Sequence, residues 1–179
     1  MDDAALLAKA RRGNEDAFSL LFERHQRQIY RYGAYMCGPH AADDVVQDTF
    51  LAVLRQTGRS DTPGGSVRSY LLGIARHIAL KRLAAAHTPL EEPADEANDE
   101  LASADPSPLE TMTRSEMSGA VRRAVETLPA AYREAVVLCE LQQLEYEEAA
   151  GLMQCPIGTV RSRLHRARRL LAAKLGSAL

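Results

Sequence analysis

The chain has 179 residues, with 22 basic and 24 acidic side chains and a formal net charge of −2 at pH 7. This length suffices for one ordinary domain or two small ones. The charge is unevenly distributed: nine carboxylates and one cation, Arg114, lie between residues 86 and 117, so the rest of the chain carries a net charge of +6. Basic segments separated by an acidic strip indicate contact with nucleic acid, because the local charge predicts such contact better than the total charge does.

The predicted elements are all helices, because Ala, Leu, Arg and Glu dominate and alternation of apolar and polar residues with a period of two is nearly absent. Gly13-Asn14, Gly38-Pro39 and the loop 57–65 interrupt the apolar periodicity of the first half. We therefore predict helices over residues 3–12, 15–36, 40–56 and 66–85. Asn14 and Ser66 are expected to cap the second and fourth of these helices.

The third predicted helix has two different sides. Val46, Phe50 and Val53 fall on one side at helical spacing. The other side carries two carboxylates, an amide and a leucine: Asp44, Gln47, Asp48 and Leu51. A leucine among acids on a polar face favours a protein partner over plain solvent, although single exposed leucines are common.

The fourth predicted helix combines an apolar stripe with an aromatic edge. The stripe is expected to consist of Val67, Leu71, Ile74 and Ile78, and its edge carries Tyr70, His77 and Lys81. An aromatic ring beside hydrogen-bonding and cationic groups suits unstacked single-stranded bases. The alternative is a boundary tyrosine that only covers the core.

The segment after this helix is predicted to be a flexible acidic linker, residues 87–114, between a domain at 1–86 and a second domain at 115–179. The segment contains Pro89, Pro93, Pro106 and Pro108 and almost no large apolar side chains. It therefore cannot bury enough surface to offset the entropy lost on ordering.

The second half is predicted to begin with a helix at 115–127. Pro129 fits the first position of a helix over "PAAYREAVVLCELQ", and "EYEEAAGLMQ" reads as a short helix with Tyr146, Ala149, Ala150 and Leu152 available for packing. A tight turn then leads into "CPIGTVRSRLHRARRLLAAKL", for which Cys155 is the expected N-cap and Pro156 the first helical residue.

This last helix has one apolar stripe and many cations. The stripe comprises Ile157, Val160, Leu164, Ala167, Leu171 and Leu175, whereas residues 155–175 contain six Arg or Lys and no carboxylate. Solvated helical faces usually mix both signs of charge. The two helices together predict a helix-turn-helix whose second helix contacts nucleic acid. The alternative is that the arginines only solubilise an amphipathic helix.

Several segments resemble the extracytoplasmic-function (ECF) sigma factors of bacteria. The segment "LPAAYREAVVLCELQQLEYEEAAGLMQCPIGTVRSRLHRARRLLAAKL" resembles their C-terminal promoter-binding domain. "DDVVQDTFLAVL" (43–54) resembles their polymerase-binding helix, and "VRSYLLGIARHIALKRL" (67–83) resembles the helix that melts and reads the minus-ten element. The family's loop between those two helices, here 57–65, captures a flipped base.

The resemblance implies partners and site residues. The implied partners are core RNA polymerase through its clamp helices and flap, promoter DNA, and an anti-sigma factor. It implies polymerase contacts by Asp44, Gln47, Asp48 and Leu51 and minus-ten contacts by Arg68, Tyr70, His77 and Lys81. For the minus-thirty-five element it implies Thr159, Arg161, Ser162, Arg163, His165, Arg166 and Arg168.

The sequence also departs from the family pattern. Members often have Trp, Asn and Asp where this chain has Tyr70, His77 and Lys81, which puts the preferred bases in question. Glu145 replaces a Ser or Thr helix cap and Ala149 replaces a bulkier residue, so we expect a softer upstream helix in the helix-turn-helix.

Two other function classes stay open. One is a free-standing helix-turn-helix regulator, although no dedicated dimerisation segment is evident. The other is a redox or metal sensor using Cys37, Cys139 and Cys155, which form no CxxC pair. His25, Cys37 and His40 lack the fourth ligand and spacing of a zinc site, so buried thiols and surface imidazoles are expected.

We expect neither a cofactor nor an enzymatic activity, since the sequence contains no nucleophile–base pair, glycine-rich phosphate loop or metal-ligand set. Asp2 and Asp3 occupy the place where a secretory signal needs positive charge, and no apolar run approaches the ~18 residues of a membrane span. The protein is accordingly expected to be cytosolic, without membrane insertion.

Overall fold

The computed structural model describes residues 2–56, 65–86 and 114–177. The chain divides into two compact units, Met1–His87 and Thr88–Leu179. Every regular element in the described ranges is helical, so the prediction of an all-α fold is confirmed. Most of the predicted linker and of the loop 57–65 lies outside the described residues.

The first unit contains helices α1 (Asp3–Ala10), α2 (Glu15–Cys37), α3 (Pro39–Arg55) and α4 (Val67–Ala85). Side-chain oxygens cap three of them, as expected for residues that satisfy unpaired N–H groups at a helix start. Asn14 Oδ1 accepts from Ala17 N at 2.7 Å, and Ser66 Oγ accepts from Ser69 N at 3.1 Å. Both predicted caps are therefore confirmed, and Asp2 caps α1 in the same way.

Helices α2 and α3 fold back on each other across a single glycine. Gly38 has φ +88°, a left-handed value that costs glycine little, and Pro39 then begins α3. Gly33 allows the two helices to approach closely, because a Cβ at this position would lie 3.1 Å from the Val45 Cβ. The core between the helices of this unit includes Leu6, Leu7, Leu21, Ile29, Tyr32, Met36, Val45, Leu71 and Leu72.

The predicted apolar stripe of α4 is partly wrong. Val67 and Leu71 are buried, but Ile74 and Ile78 are only half-buried. The core side of α4 is instead completed by Leu72, Ala75, Ala79 and Leu83. Helix α4 packs against α1, α2 and α3, and its small alanines allow close approach: Cys37 Sγ lies 3.7 Å from the Ala79 carbonyl oxygen. The two isoleucines consequently face the margin of the core.

The second unit contains α5 (Arg114–Glu126), α6 (Ala130–Val136), a π-helical turn (Val137–Leu141), α7 (Tyr146–Met153) and α8 (Ile157–Ser177). The helix predicted to begin with Pro129 differs in two respects. Pro129 is the N-cap rather than the first helical residue, and the later part widens into the π-helical turn, where Gln142 N donates to Val137 O at 2.9 Å. Such a turn shifts the register of the residues that follow.

A tight turn joins α7 to α8 and completes the predicted helix-turn-helix. Gln154 adopts a left-handed conformation with φ +54°, and Cys155 N donates to Ala150 O at 3.1 Å, which closes α7. Pro156 O accepts from Val160 N, so the N-cap is one residue later than the predicted Cys155.

The apolar stripe of α8 is buried only in its middle. Val160, Leu164 and Ala167 are buried, whereas Ile157, Leu171 and Leu175 at the two ends of the stripe are half-buried. In α7, Ala149 and Ala150 are buried, Tyr146 and Leu152 are half-buried, and Met153 is buried although it was not among the residues predicted to pack. Glu145 makes no side-chain cap bond, as its replacement of Ser or Thr led us to expect.

Candidate protein and nucleic-acid interfaces

The polar face predicted on α3 exists and includes an exposed leucine. Asp44, Gln47 and Leu51 are exposed and Asp48 is half-exposed, with Leu51 retaining 37% of its accessible surface. Helical spacing places all four on one side of α3, away from buried Val45 and Val53. The structure thus brings the predicted set together.

An open aromatic groove between α2 and α3 adjoins this face. The groove has a volume of about 620 Å³, and Gln47 and Leu51 belong to both surfaces. All three phenylalanines of the chain line it, with Phe22 and Phe50 ring centroids 4.8 Å apart. Phe18 and Phe22 are only half-buried, so the groove presents aromatic surface to solvent. The periodicity of α3 alone does not indicate these α2 residues, because the groove forms only where the two helices pack together.

A cation from α4 neutralises part of the acidic face. Arg82 donates to Asp48 Oδ2 at 2.9 Å and to Asp44 Oδ2 at 3.4 Å. The hydrogen bond to Asp48 raises the pKa of Arg82 above its ordinary value. These three side chains together carry one net negative charge rather than two. The separation of 34 and 38 residues in sequence explains why helical spacing within α3 could not reveal this contact.

The aromatic edge of α4 borders a second groove, of about 440 Å³. Tyr70 and His77 line it together with Ala52, Gln56, Gly73, Ile74 and Ile78. This placement explains why the two isoleucines are only half-buried: they form part of the groove wall. The groove offers apolar contact and an aromatic ring, which are the features that an unstacked base requires.

The other two predicted minus-ten residues lie outside the groove lining. Lys81 is exposed and follows His77 by four residues, so it shares that edge of α4. Arg68 is half-buried and precedes Tyr70 by two residues, a spacing that places it on another side of the helix. The structure therefore groups Tyr70, His77 and Lys81 but not Arg68.

The Tyr70 hydroxyl is held by two side chains from other helices. It donates to Gln56 Oε1 at 2.7 Å and accepts from Arg11 Nη2 at 2.8 Å. Arg11, at the end of α1, is only 5% exposed. Neither partner is indicated by helical spacing, because Arg11 and Gln56 lie 59 and 14 residues from Tyr70 in sequence.

The cationic side of α8 is open to solvent. Arg161, Ser162, His165 and Arg168 are exposed, whereas Thr159, Arg163 and Arg166 are half-buried. Arg163 lies over the turn, with Nη1 at 3.9 Å from Cys155 Sγ, and Arg166 Nη1 donates to Tyr132 Oη at 3.4 Å. The first turns of α8 therefore present mainly Arg161 and Ser162, as a recognition helix would.

One arginine of α8 is paired with an acid from another element. Residues 155–175 contain no carboxylate, but Glu140 of the π-helical turn accepts a hydrogen bond from Arg168. This bond raises the pKa of Arg168, and a hydrogen bond with Tyr146 acts in the same direction. The absence of carboxylates from residues 155–175 therefore does not leave Arg168 without an acidic partner.

Two of the candidate metal ligands, His25 and Cys37, have hydrogen-bond partners of their own. His25 is buried rather than at the surface as predicted, and its Nε2 lies 2.8 Å from Asp3 Oδ2. Burial opposes ionisation of Asp3, but hydrogen bonds from Arg24 and His25 outweigh it and hold the pKa of this carboxyl below its ordinary value. Burial raises the pKa of the Cys139 thiol to about 11. Within the described ranges, no three His, Cys, Asp or Glu side chains are grouped to hold a metal ion.

None of the helices in the described part of the chain is both long and apolar enough to span a membrane.

Each of the two units matches a known protein family. Residues 21–88 match the Sigma-70 region 2 family and residues 118–171 match Sigma-70, region 4. The ECF RNA polymerase sigma factor SigE of Mycolicibacterium smegmatis is 31% identical over 84% of this chain, which spans 58% of that relative's length. The RNA polymerase sigma-H factor of Pseudomonas aeruginosa is 32% identical over 93% of this chain and 90% of its own length.

Solved structures share the fold. CnrH, in complex with the cytosolic domain of CnrY, has a TM-score of 0.70 at 23% identity and covers 98% of this chain and 97% of its own. The sigma factor RpoE of Bartonella quintana, in complex with the anti-sigma factor NepR, has a TM-score of 0.63 at 24% identity and covers 84% and 91%. These likenesses extend over both helical units.

Proposed function

Because the chain belongs to the ECF RNA polymerase sigma factors, we propose that it binds core RNA polymerase, directs it to particular promoters and helps to open the DNA. The observation that carries this proposal is the presence of two complementary kinds of surface in one chain. The first unit has an acidic face with an exposed leucine, and the second has a helix-turn-helix with exposed arginines.

The α3 face is the proposed site for the polymerase clamp helices. Leu51 supplies an apolar anchor, and Gln47, Asp44 and Asp48 supply hydrogen-bond acceptors around it. An apolar centre with a polar rim is the usual anatomy of a protein interface. Arg82 would keep the two carboxylates in place before docking, which lowers the entropy lost when the complex forms.

The α4 edge is the proposed site for the melted minus-ten element. An unpaired base stacked on Tyr70 would be enclosed by Ile74 and Ile78, with His77 and Lys81 available for hydrogen bonds and phosphate contact. Arg68 points elsewhere, so we assign it a contact with the phosphate backbone rather than with the stacked base. Such binding stabilises the open promoter and does not require a catalytic step by this protein.

The α8 surface is the proposed reader of the minus-thirty-five duplex. Thr159, Arg161 and Ser162 belong to the first turns and would reach base edges in the major groove, whereas Arg163 and Arg166 lie further along and would contact phosphates. His165 and Arg168 extend the exposed side. We further propose that this unit contacts the polymerase flap.

Regulation by an anti-sigma factor is proposed by analogy with the RpoE structure, whose partner NepR is an anti-sigma factor. A protein that covers the α3 face or the adjoining aromatic groove would prevent polymerase from docking. Because core polymerase and the chromosome lie in the bacterial cytoplasm, the protein would act there, without cofactors.

A promoter-selection experiment tests this function. Core polymerase and the purified chain are incubated with a random DNA library, and transcribed templates are sequenced. We expect a two-part motif with a fixed spacing, which disappears when the chain is omitted. Enrichment of one palindromic site without transcription would instead identify a free-standing regulator that binds as a dimer.

A further inference from the structure

We propose that Arg11 is a positioning residue for promoter opening, which fixes the Tyr70 ring at the wall of the α4 groove. This inference rests on the proposed function of Tyr70. It assigns a role to α1, which lies outside the matched Sigma-70 region 2 span of residues 21–88.

The contacts form a closed triangle with defined donors. Arg11 Nη2 donates to Tyr70 Oη at 2.8 Å and to Gln56 Oε1 at 3.4 Å, while Tyr70 Oη donates to the same Gln56 oxygen at 2.7 Å. Guanidinium nitrogens can only donate, so the Tyr70 hydroxyl must accept from Arg11 and use its own proton for Gln56. The triangle joins the end of α1, the end of α3 and the start of α4.

Anchoring the hydroxyl also fixes the ring. A tyrosine side chain has two rotatable bonds, so holding both Cα and Oη leaves the ring plane little freedom. The Arg11 guanidinium also lies over the ring, with Cζ 5.1 Å from the ring centroid, so Tyr70 offers the groove the remaining surface of its ring rather than its polar end. A preorganised ring stacks on a base with less loss of entropy than a mobile one.

The burial of Arg11 argues that the residue does more than fill space. Taking a guanidinium out of water is expensive, and a well-packed apolar side chain at a buried position usually serves stability as well or better. Arg11 is 5% exposed, and both of its partners in the triangle line the groove. The unfavourable burial of this guanidinium therefore occurs next to the position where the proposed base would stack.

The test measures open complexes with core polymerase and a selected promoter, using permanganate reactivity of unpaired thymines. Tyr70→Phe keeps the ring and removes only the hydroxyl, and Arg11→Met removes the donor. We expect each variant to lower opening about tenfold, as for loss of a hydrogen bond to a charged group. The loss in the double variant should be well below the product of the two single losses, because both variants remove the Arg11–Tyr70 hydrogen bond.

Three further measurements separate positioning from general stability. Arg12→Met, at the exposed neighbouring residue, should open promoters like wild type. Arg11→Lys, which retains a charged donor, should recover part of the lost opening. A template with a pre-melted bubble should restore transcription by Arg11→Met and Tyr70→Phe, whereas a misfolded protein would not be rescued.

The outcomes distinguish this inference from the function on which it rests. If Tyr70→Ala opens promoters normally, the proposed stacking role of Tyr70 is wrong and the inference is overturned with it. If Tyr70→Ala is defective but the Arg11→Met and Tyr70→Phe losses multiply in the double variant, only the positioning role is overturned. Should Arg11→Met fail to fold, Gln56→Leu replaces it, and the same criterion applies: its loss and that of Tyr70→Phe should not multiply in the double variant.

Discussion

Truncation of Leu51 to alanine should abolish much of the affinity for core polymerase while leaving the fold intact. Leu51 is 37% exposed and lies among the polar residues of the α3 face. Truncation of a leucine that is partly exposed in the free protein lowers the folding stability by about 1 kcal/mol. Truncation of an apolar anchor at an interface weakens binding by about 2 kcal/mol or more. The latter value corresponds to about a thirtyfold rise in Kd.

Leu20 provides a matched control, because it has the same 37% exposure on α2 and lies outside the aromatic groove lining. Leu20→Ala and Leu51→Ala should therefore have similar melting temperatures, and only Leu51→Ala should lose polymerase affinity. Competition with wild-type protein for labelled core polymerase measures the difference. Equal affinities for the two variants would refute the interface assignment.

Charge reversal at Asp48 is a poorer probe of the proposed interface than truncation of Leu51. Because Arg82 donates to Asp48 at 2.9 Å, Asp48→Arg would place two cations in contact and disturb α4. A loss of polymerase binding by that variant could then arise from local distortion. Leu51→Ala removes apolar surface without altering this ion pair.

Three other predictions concern the second unit. Arg161→Ala should change the preferred upstream element, whereas Arg163→Ala should weaken binding to all sequences and lower the salt slope by about one unit; library selection and salt titration distinguish them. Glu140→Gln should strengthen DNA binding by up to about fivefold, because it removes the exposed ion pair and makes the Arg168 guanidinium available to DNA phosphates. The same substitution should have no effect in an Arg168→Ala background. Cys139, with a pKa raised to about 11 by burial, should react with iodoacetamide at pH 8 at least about 100-fold more slowly than in the unfolded chain.

Each of these three predictions has a clear contrary result. Identical selectivity profiles for Arg161→Ala and wild type would remove that residue from base readout. An effect of Glu140→Gln that persists without Arg168 would show that the pair is not its cause. Burial of Cys139 favours its neutral thiol, so the folded state is stabilised relative to the unfolded state while the thiol stays protonated. This contribution to stability is complete below pH 9 and is lost as the pH rises through 11. A free energy of unfolding that increases over this pH range in wild type but not in Cys139→Ala would contradict the account.

The sequence was sufficient for features that depend on local spacing. Helix bounds followed from apolar periodicity and from caps such as Asn14 and Ser66, whose side chains bond to N–H groups three residues away. The grouping of Leu51 with its polar neighbours likewise needed only the 3.6-residue period of one helix.

Features that depend on contacts between helices were not predictable in this way. The triangle of Arg11, Gln56 and Tyr70 joins three helices, and a buried arginine at the end of α1 carries no local signal of its partners. The error at Ile74 and Ile78 has a related cause. Periodicity identifies an apolar stripe, but the helices that pack on α4 determine which part of that stripe is buried and which part lines a groove.

The most direct test of the account is the affinity of the full chain for its selected promoter, measured with and without core polymerase at one salt concentration. A sigma factor should bind the promoter tightly and selectively only in the presence of the polymerase, and run-off transcripts should begin at a fixed distance from the two elements. Tight, selective binding by the chain alone, unchanged when polymerase is added, would contradict the account and identify a free-standing regulator.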